Sequence, residues 1–91
     1  MAAARPKPYA AGALAAGPGI YRGFTLRETA GAAAVVRLWD GASAVGTLLE
    51  TVALPTAGSA RFDYGDDGVF FAVGVFAETV SGTVEGSVLL G

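Results

Sequence analysis

From Ile20 onward, short runs rich in β-branched and aromatic residues alternate with Gly, Asp, Ser and Pro, the punctuation of strands and turns. In residues 23–29 the alternation puts Phe24, Leu26 and Glu28 on one face and Thr25, Arg27 and Thr29 on the other. Residues 32–39 (AAAVVRLW) read as a second strand closed by Asp40-Gly41, and 46–54 (GTLLETVAL) as a third, stopped by Pro55. Within 59–64, Ala60, Phe62 and Tyr64 share a side before Gly65-Asp66-Asp67-Gly68 turns the chain. Residues 82–90 alternate again, with Val84, Gly86, Val88 and Leu90 facing a core. Past the first nineteen residues no window sustains a 3.6-residue period. Six strands in about seventy residues predict an all-β domain, either a small barrel or a small antiparallel β-sandwich of immunoglobulin-like or jelly-roll-like type; the sandwich is the expected fold.

Two segments break this rhythm. Residues 68–80 (GVFFAVGVFAETV) are the most apolar of the chain. Read as one strand over 69–77, Val69, Phe71, Val73, Val75 and Ala77 make one face, and Phe70, Ala72, Gly74 and Phe76 the other. Both faces are apolar, so both need covering, one by the domain's core and the other by a partner or by the chain's own arm or loop. Residues 1–19 (MAAARPKPYAAGALAAGPG) hold three of the four prolines and few side chains able to anchor a core. Pro6, Pro8, Gly12 and Gly17-Pro18-Gly19 leave no run long enough to nucleate a helix. The expected division is a flexible or extended arm over 1–19 and a β-sandwich over 20–91.

Charge sharpens that division. The arm carries Arg5 and Lys7 and no carboxylate, while beyond it four arginines face eight carboxylates. Opposite signs suit head-to-tail contact between copies or docking on an acidic protein surface. The chain is 53% apolar and only 15% charged, where soluble domains average about a quarter charged. A domain this small lacks the interior to hide so much apolar surface, which argues for association, including a homo-oligomer. There is no cysteine and no histidine, so disulfides are excluded and zinc loses its preferred ligands. No apolar run reaches about eighteen residues, which removes a spanning helix. The Ala-rich N-terminal stretch is too interrupted for a signal peptide.

Few residues carry chemistry. Without histidine or cysteine the common nucleophile–base pairs cannot be assembled, and the one lysine, Lys7, lies in the arm. Asp63, Asp66 and Asp67 would suit a weak cation site, but they lack the spacing and distal Glu of a calcium loop, and Asp with Gly is also what a tight turn needs. The glycines at 17, 19 and 23 match no phosphate loop and precede a strand, not a helix. Scattered arginines on an acidic core make no nucleic-acid stripe. No catalytic residue, cofactor or metal site is therefore assigned. The candidate partner-binding residues are Arg5, Lys7, Tyr9 and Leu14 on the arm, Trp39 on its strand, and Phe70 and Phe76 on the apolar segment. Trp39 also has Arg37 on its face, a candidate cation–π pair.

Three stretches carry a resemblance: GIYRGFTLRETAGAAAVVRLWDG at 19–41, GTLLETVAL at 46–54 and AETVSGTVEGSVLLG at 77–91. Together they resemble small virion proteins of tailed bacteriophages of high-GC actinobacterial hosts, in which a short variable N-terminus precedes a YRGF-type start. The resemblance covers the core and not the arm, and it implies a virion component with no catalytic residue to carry over. The expected function is a non-enzymatic capsid decoration or cement protein, binding the major capsid protein through its arm and its apolar β-face. It would sit on the capsid surface, and in the host cytoplasm during assembly. A tail, fibre or host-contact module presenting loops 40–46 and 63–68 is the alternative, and a small ligand-binding β-barrel a third reading.

Overall fold

The computed structural model describes residues 5–65 and 67–91, across which the alternating segments pair into two antiparallel sheets. The strands are β1 (Arg5–Pro8), β2 (Gly12–Ala16), β3 (Gly19–Glu28), β4 (Ala34–Ser43), β5 (Val45–Leu54), β6 (Ser59–Asp63), β7 (Val69–Phe71), β8 (Gly74–Ser81) and β9 (Val84–Leu90). The first sheet runs β1-β9-β3-β6, with β7 also paired to the start of β3; the second runs β2-β8-β4-β5. The two pack face to face as a small β-sandwich, the expected fold class. Tyr21, Leu26 and Val88 of the first sheet meet Val36, Leu38 and Val75 of the second, and all six are fully buried. The alternation in β3 lands as read: Phe24, Leu26 and Glu28 are buried, and Thr25, Arg27 and Thr29 are exposed.

Three expectations change. First, the chain does not divide near Gly19. Residues 5–8 pair with β9 over Arg5↔Leu90 to Pro8↔Ser87, and residues 12–16 pair with β8 over Gly12↔Ala77 to Ala16↔Gly74. Alanine and proline give these strands little propensity of their own; the open edges of β9 and β8 recruit them through main-chain hydrogen bonds. Pro6 and Pro8 fit because β1 is an edge strand, where a missing N–H faces no neighbour. With Lys7 between them they also blunt that edge against further pairing. Leu14, the one large side chain of β2, enters the core at 7% exposure.

Second, 69–77 is not one strand. β7 belongs to the first sheet and β8 to the second, and the chain crosses between them at Ala72-Val73. The run is apolar on alternating positions of two different strands, so each sheet receives inward side chains, Phe71 from β7 and Val75 and Ala77 from β8. Gly74 makes the crossing feasible. Its φ is +157°, and a Cβ there would collide with the Ala15 carbonyl oxygen. Third, Asp40-Gly41 does not end β4. The strand continues through an irregularity to Ser43, which pairs with Val45 across the hairpin. Counting β1, β2 and the split segment, the sandwich has nine strands among the described residues rather than about six.

Candidate functional site

Most polar side chains with defined partners hold the sandwich together. On the side where β5 meets β6, Tyr21 and Tyr64 both donate to Glu50 Oε1, at 3.3 and 2.8 Å. The Tyr21 and Tyr64 rings pack edge-on at 5.7 Å. Burial first, then the Glu50 charge, pushes the Tyr21 phenol up from its ordinary value. For Tyr64 the hydrogen bond to Glu50 is the larger cause of a rise. On the opposite side, the β1–β2 link places Tyr9 against the core, its hydroxyl 2.6 Å from Thr79 Oγ1.

The two ends are tied by carboxylates. Glu28 accepts from the backbone N–H of Ala57 at 2.7 Å and from that of Ala30, joining two loops. Asp40 accepts from Ala72 and Val73, each at 2.9 Å, and from Gly74 at 3.3 Å, which pins the β7–β8 crossover. The amides of Ala57 and Ala72 are the leading causes that hold the Glu28 and Asp40 carboxyls below their ordinary values. Asp63 accepts from Gly65 N–H at 2.7 Å, the local bond of a turn. Asp66 lies outside the described residues, and among those described no group of three His, Cys, Asp or Glu could hold a metal ion.

The outer faces differ in chemistry. On the first sheet Thr25, Arg27, Arg61 and Glu85 point outward, with Arg27 and Glu85 paired at 2.6 Å. Two surface depressions of about 280 and 330 Å³ flank Arg27 there, outside the space between the sheets. On the second sheet the registers Ala13↔Phe76, Phe76↔Trp39 and Trp39↔Leu48 line up four apolar residues across all four strands. The indole N–H of Trp39 donates to Glu78 Oε1 at 3.1 Å, which fixes the ring on that face. Beside this row, Arg37 lies opposite Glu78 and Thr51. A third row holds Ala53, Val35 and Ser81, with Val80 beside it as the extra residue of a β-bulge.

One end of the sandwich is apolar as well. The β4–β5 hairpin and the β7–β8 crossover meet there through Asp40, and the start of β3 lies under β7. Val45, Phe70 and Val73 are 68%, 63% and 54% exposed at this end.

The residues named from sequence therefore scatter. Arg5 and Lys7 are exposed on β1, and Phe70 is exposed at the apolar end. Trp39 and Phe76 come together on the outer face of the second sheet. Leu14 is spent on the protein's own core and is not available to a neighbour, and Tyr9 is half-committed to it. The indole hydrogen bond of Trp39 goes to Glu78 and not to Arg37. Sequence reasoning missed Leu48, Val45 and Val73, because nothing in their local pattern separates an outward valine or leucine from an inward one. Comparison with protein families, curated proteins and solved structures finds no match to the chain.

Proposed function

We propose that this protein is a non-enzymatic structural component of a phage virion, a capsid decoration protein that seats the apolar end of its sandwich on the shell. The observation that carries the reading is the gathering of Val45, Phe70 and Val73, the most exposed large apolar side chains described, at one end of a rigid framework. Exposed clusters of this kind mark protein contacts, and Asp40 holds the crossover that presents Val73. The virion setting is supported by the resemblance over 19–41, 46–54 and 77–91. Many shallow contacts repeated over a shell add by avidity, which suits a module of this size. Because β1 and β2 complete the protein's own sheets, the docking surface is the loop end and not a free arm.

The test is co-sedimentation with shells assembled without this protein. A Val45→Asp/Phe70→Asp chain should keep its circular dichroism spectrum and lose shell binding at least about tenfold, since each aspartate puts a charge into an apolar contact. Undiminished binding refutes the docking end. Antibody label on the tail and not the head would move the protein to the tail reading.

A further inference from the structure

We propose that the outer face of the second sheet is a self-complementary surface that pairs two copies of this chain face to face. The proposal rests on the reading of the protein as an association module and names the occupant of a second surface, distinct from the apolar end. In the order β2-β8-β4-β5, a two-fold axis parallel to the strands, between β8 and β4, lays β4 over β8 of the second copy and β2 over its β5. The apolar row then maps onto itself reversed. Trp39 covers Phe76 of the second copy, and Leu48 covers its Ala13, a large residue over a small one.

The same operation brings Arg37 over Glu78 of the second copy, and its symmetry mate does the reverse. Among the described residues Arg37 takes no ion pair within its own chain. In the third row Val35 lies over Ser81 of the second copy, next to the Val80 bulge. The Trp39 and Arg37 rows thus pair apolar with apolar and unlike with unlike in charge under one axis. No comparable match exists on the first sheet, where Arg27 and Glu85 already neutralise each other.

The area sets the strength. Four strands about 4.8 Å apart and eight residues long cover roughly 500 Å² per copy, so roughly 1,000 Å² is buried in total. That is the lower limit of specific interfaces, the size range of weak and transient ones, and it predicts a reversible dimer. Aligned sheets stack about 10 Å apart, close enough for Trp39 and Phe76 to interdigitate.

Sedimentation velocity over a concentration series, with the emission of Trp39, the single tryptophan, tests this directly. The full chain should pass from monomer to dimer, with Trp39 emission shifting to the blue in step. Arg37→Glu and Glu78→Arg should each weaken association by about tenfold or more, because each turns two attractive contacts into two repulsive ones. An equimolar mixture of the two variants should dimerise again, since the two carboxylates on one copy then face the two guanidinium groups on the other. A chain monomeric to about 1 mM overturns the proposal, as does a dimer that leaves Trp39 emission unchanged or a mixture that fails to recover. Shell binding is scored separately with the same proteins. Dimers that do not bind shells overturn the virion role alone, and monomers that bind shells overturn the paired face alone.

Discussion

Replacing Leu14 with alanine tests whether the N-terminal residues are part of the fold or an appendage. Leu14 is the only large side chain of β2 and is 7% exposed beneath the second sheet. Core Leu→Ala changes remove about 2–5 kcal/mol, more where the surroundings cannot close on the cavity. An edge strand of five residues can shift inward, which argues for the lower part of that range, about 2–3 kcal/mol. A 91-residue domain has about 5–14 kcal/mol of stability in total, so the loss is a large share of it. At roughly 4–8 °C per kcal/mol for a domain of this size, Tm should fall by roughly 10–20 °C. The assay is thermal unfolding by circular dichroism, with urea unfolding to check that the midpoint moves and the slope does not. Lys7→Ala, at an exposed position of β1, serves as the control and should stay within about 0.5 kcal/mol. A chain beginning at Gly19 should fail to fold stably, because it strips the partners from β8 and β9 together. The reasoning is refuted if Leu14→Ala melts within about 2 °C of the unaltered chain, for then β2 is not docked in solution.

Two further outcomes follow from the polar ties. Asp40 and Glu28 have lowered pKa values, so their stabilisation is fully present above the ordinary carboxylate values of 3.8 and 4.5 and is lost as pH falls through the lowered ones; Asp40→Asn should therefore lower Tm at pH 7, and the gap to the unaltered protein should narrow in acid. The phenols have raised values, so their contribution is complete below the ordinary value of 10.0 and fades only as pH climbs past it; titration by absorbance at alkaline pH should show Tyr21 ionising only as the fold opens, and Glu50→Gln, which removes the nearby charge, should bring Tyr64 ionisation to lower pH.

Much of the sandwich was legible because residues 24–28 of β3 alternate strictly, and Phe24, Leu26, Val84 and Val88 all fall on the inward side. Where one face is buried, a one-residue slip would expose every such side chain, so pattern and register specify each other. The N-terminal strands were illegible for the opposite reason. Their side chains say little, and their conformation is dictated by the open edges of β9 and β8, which lie more than sixty residues away in sequence for most pairs. The 69–77 segment failed differently. A run apolar at every position fits one strand covered on both sides, and equally a chain that changes sheets midway. Gly74 was the discriminating residue, since a glycine inside a strand pattern marks a bend or a close backbone approach. Trp39 and Phe76 were individually conspicuous, but that they are cross-strand neighbours depends on the β4–β8 register, a tertiary fact.

Association is favoured by where the exposed apolar side chains lie and not by how apolar the chain is. Nineteen of the forty-eight apolar residues are alanines, and an alanine covers little area whether it faces water or protein. The apolar fraction therefore overstates the surface that needs hiding, and most large apolar side chains do find places in or against the core. What is left over is small, and most of it is grouped. Leu48, Phe76 and Trp39 fall in one row of one sheet face, and Val45, Phe70 and Val73 fall at one end. Chance exposure would distribute such residues singly over both faces. The outer face of the first sheet carries the Arg27–Glu85 pair, its edge at β1 is blunted by prolines, and, apart from Phe62 at 50% exposure on β6, the large exposed apolar side chains fall on the outer face of the second sheet or at the crossover end. The proposed shell contact and the proposed pairing of copies would use different surfaces, the crossover end and the outer face of the second sheet, so each can be removed by mutation without the other.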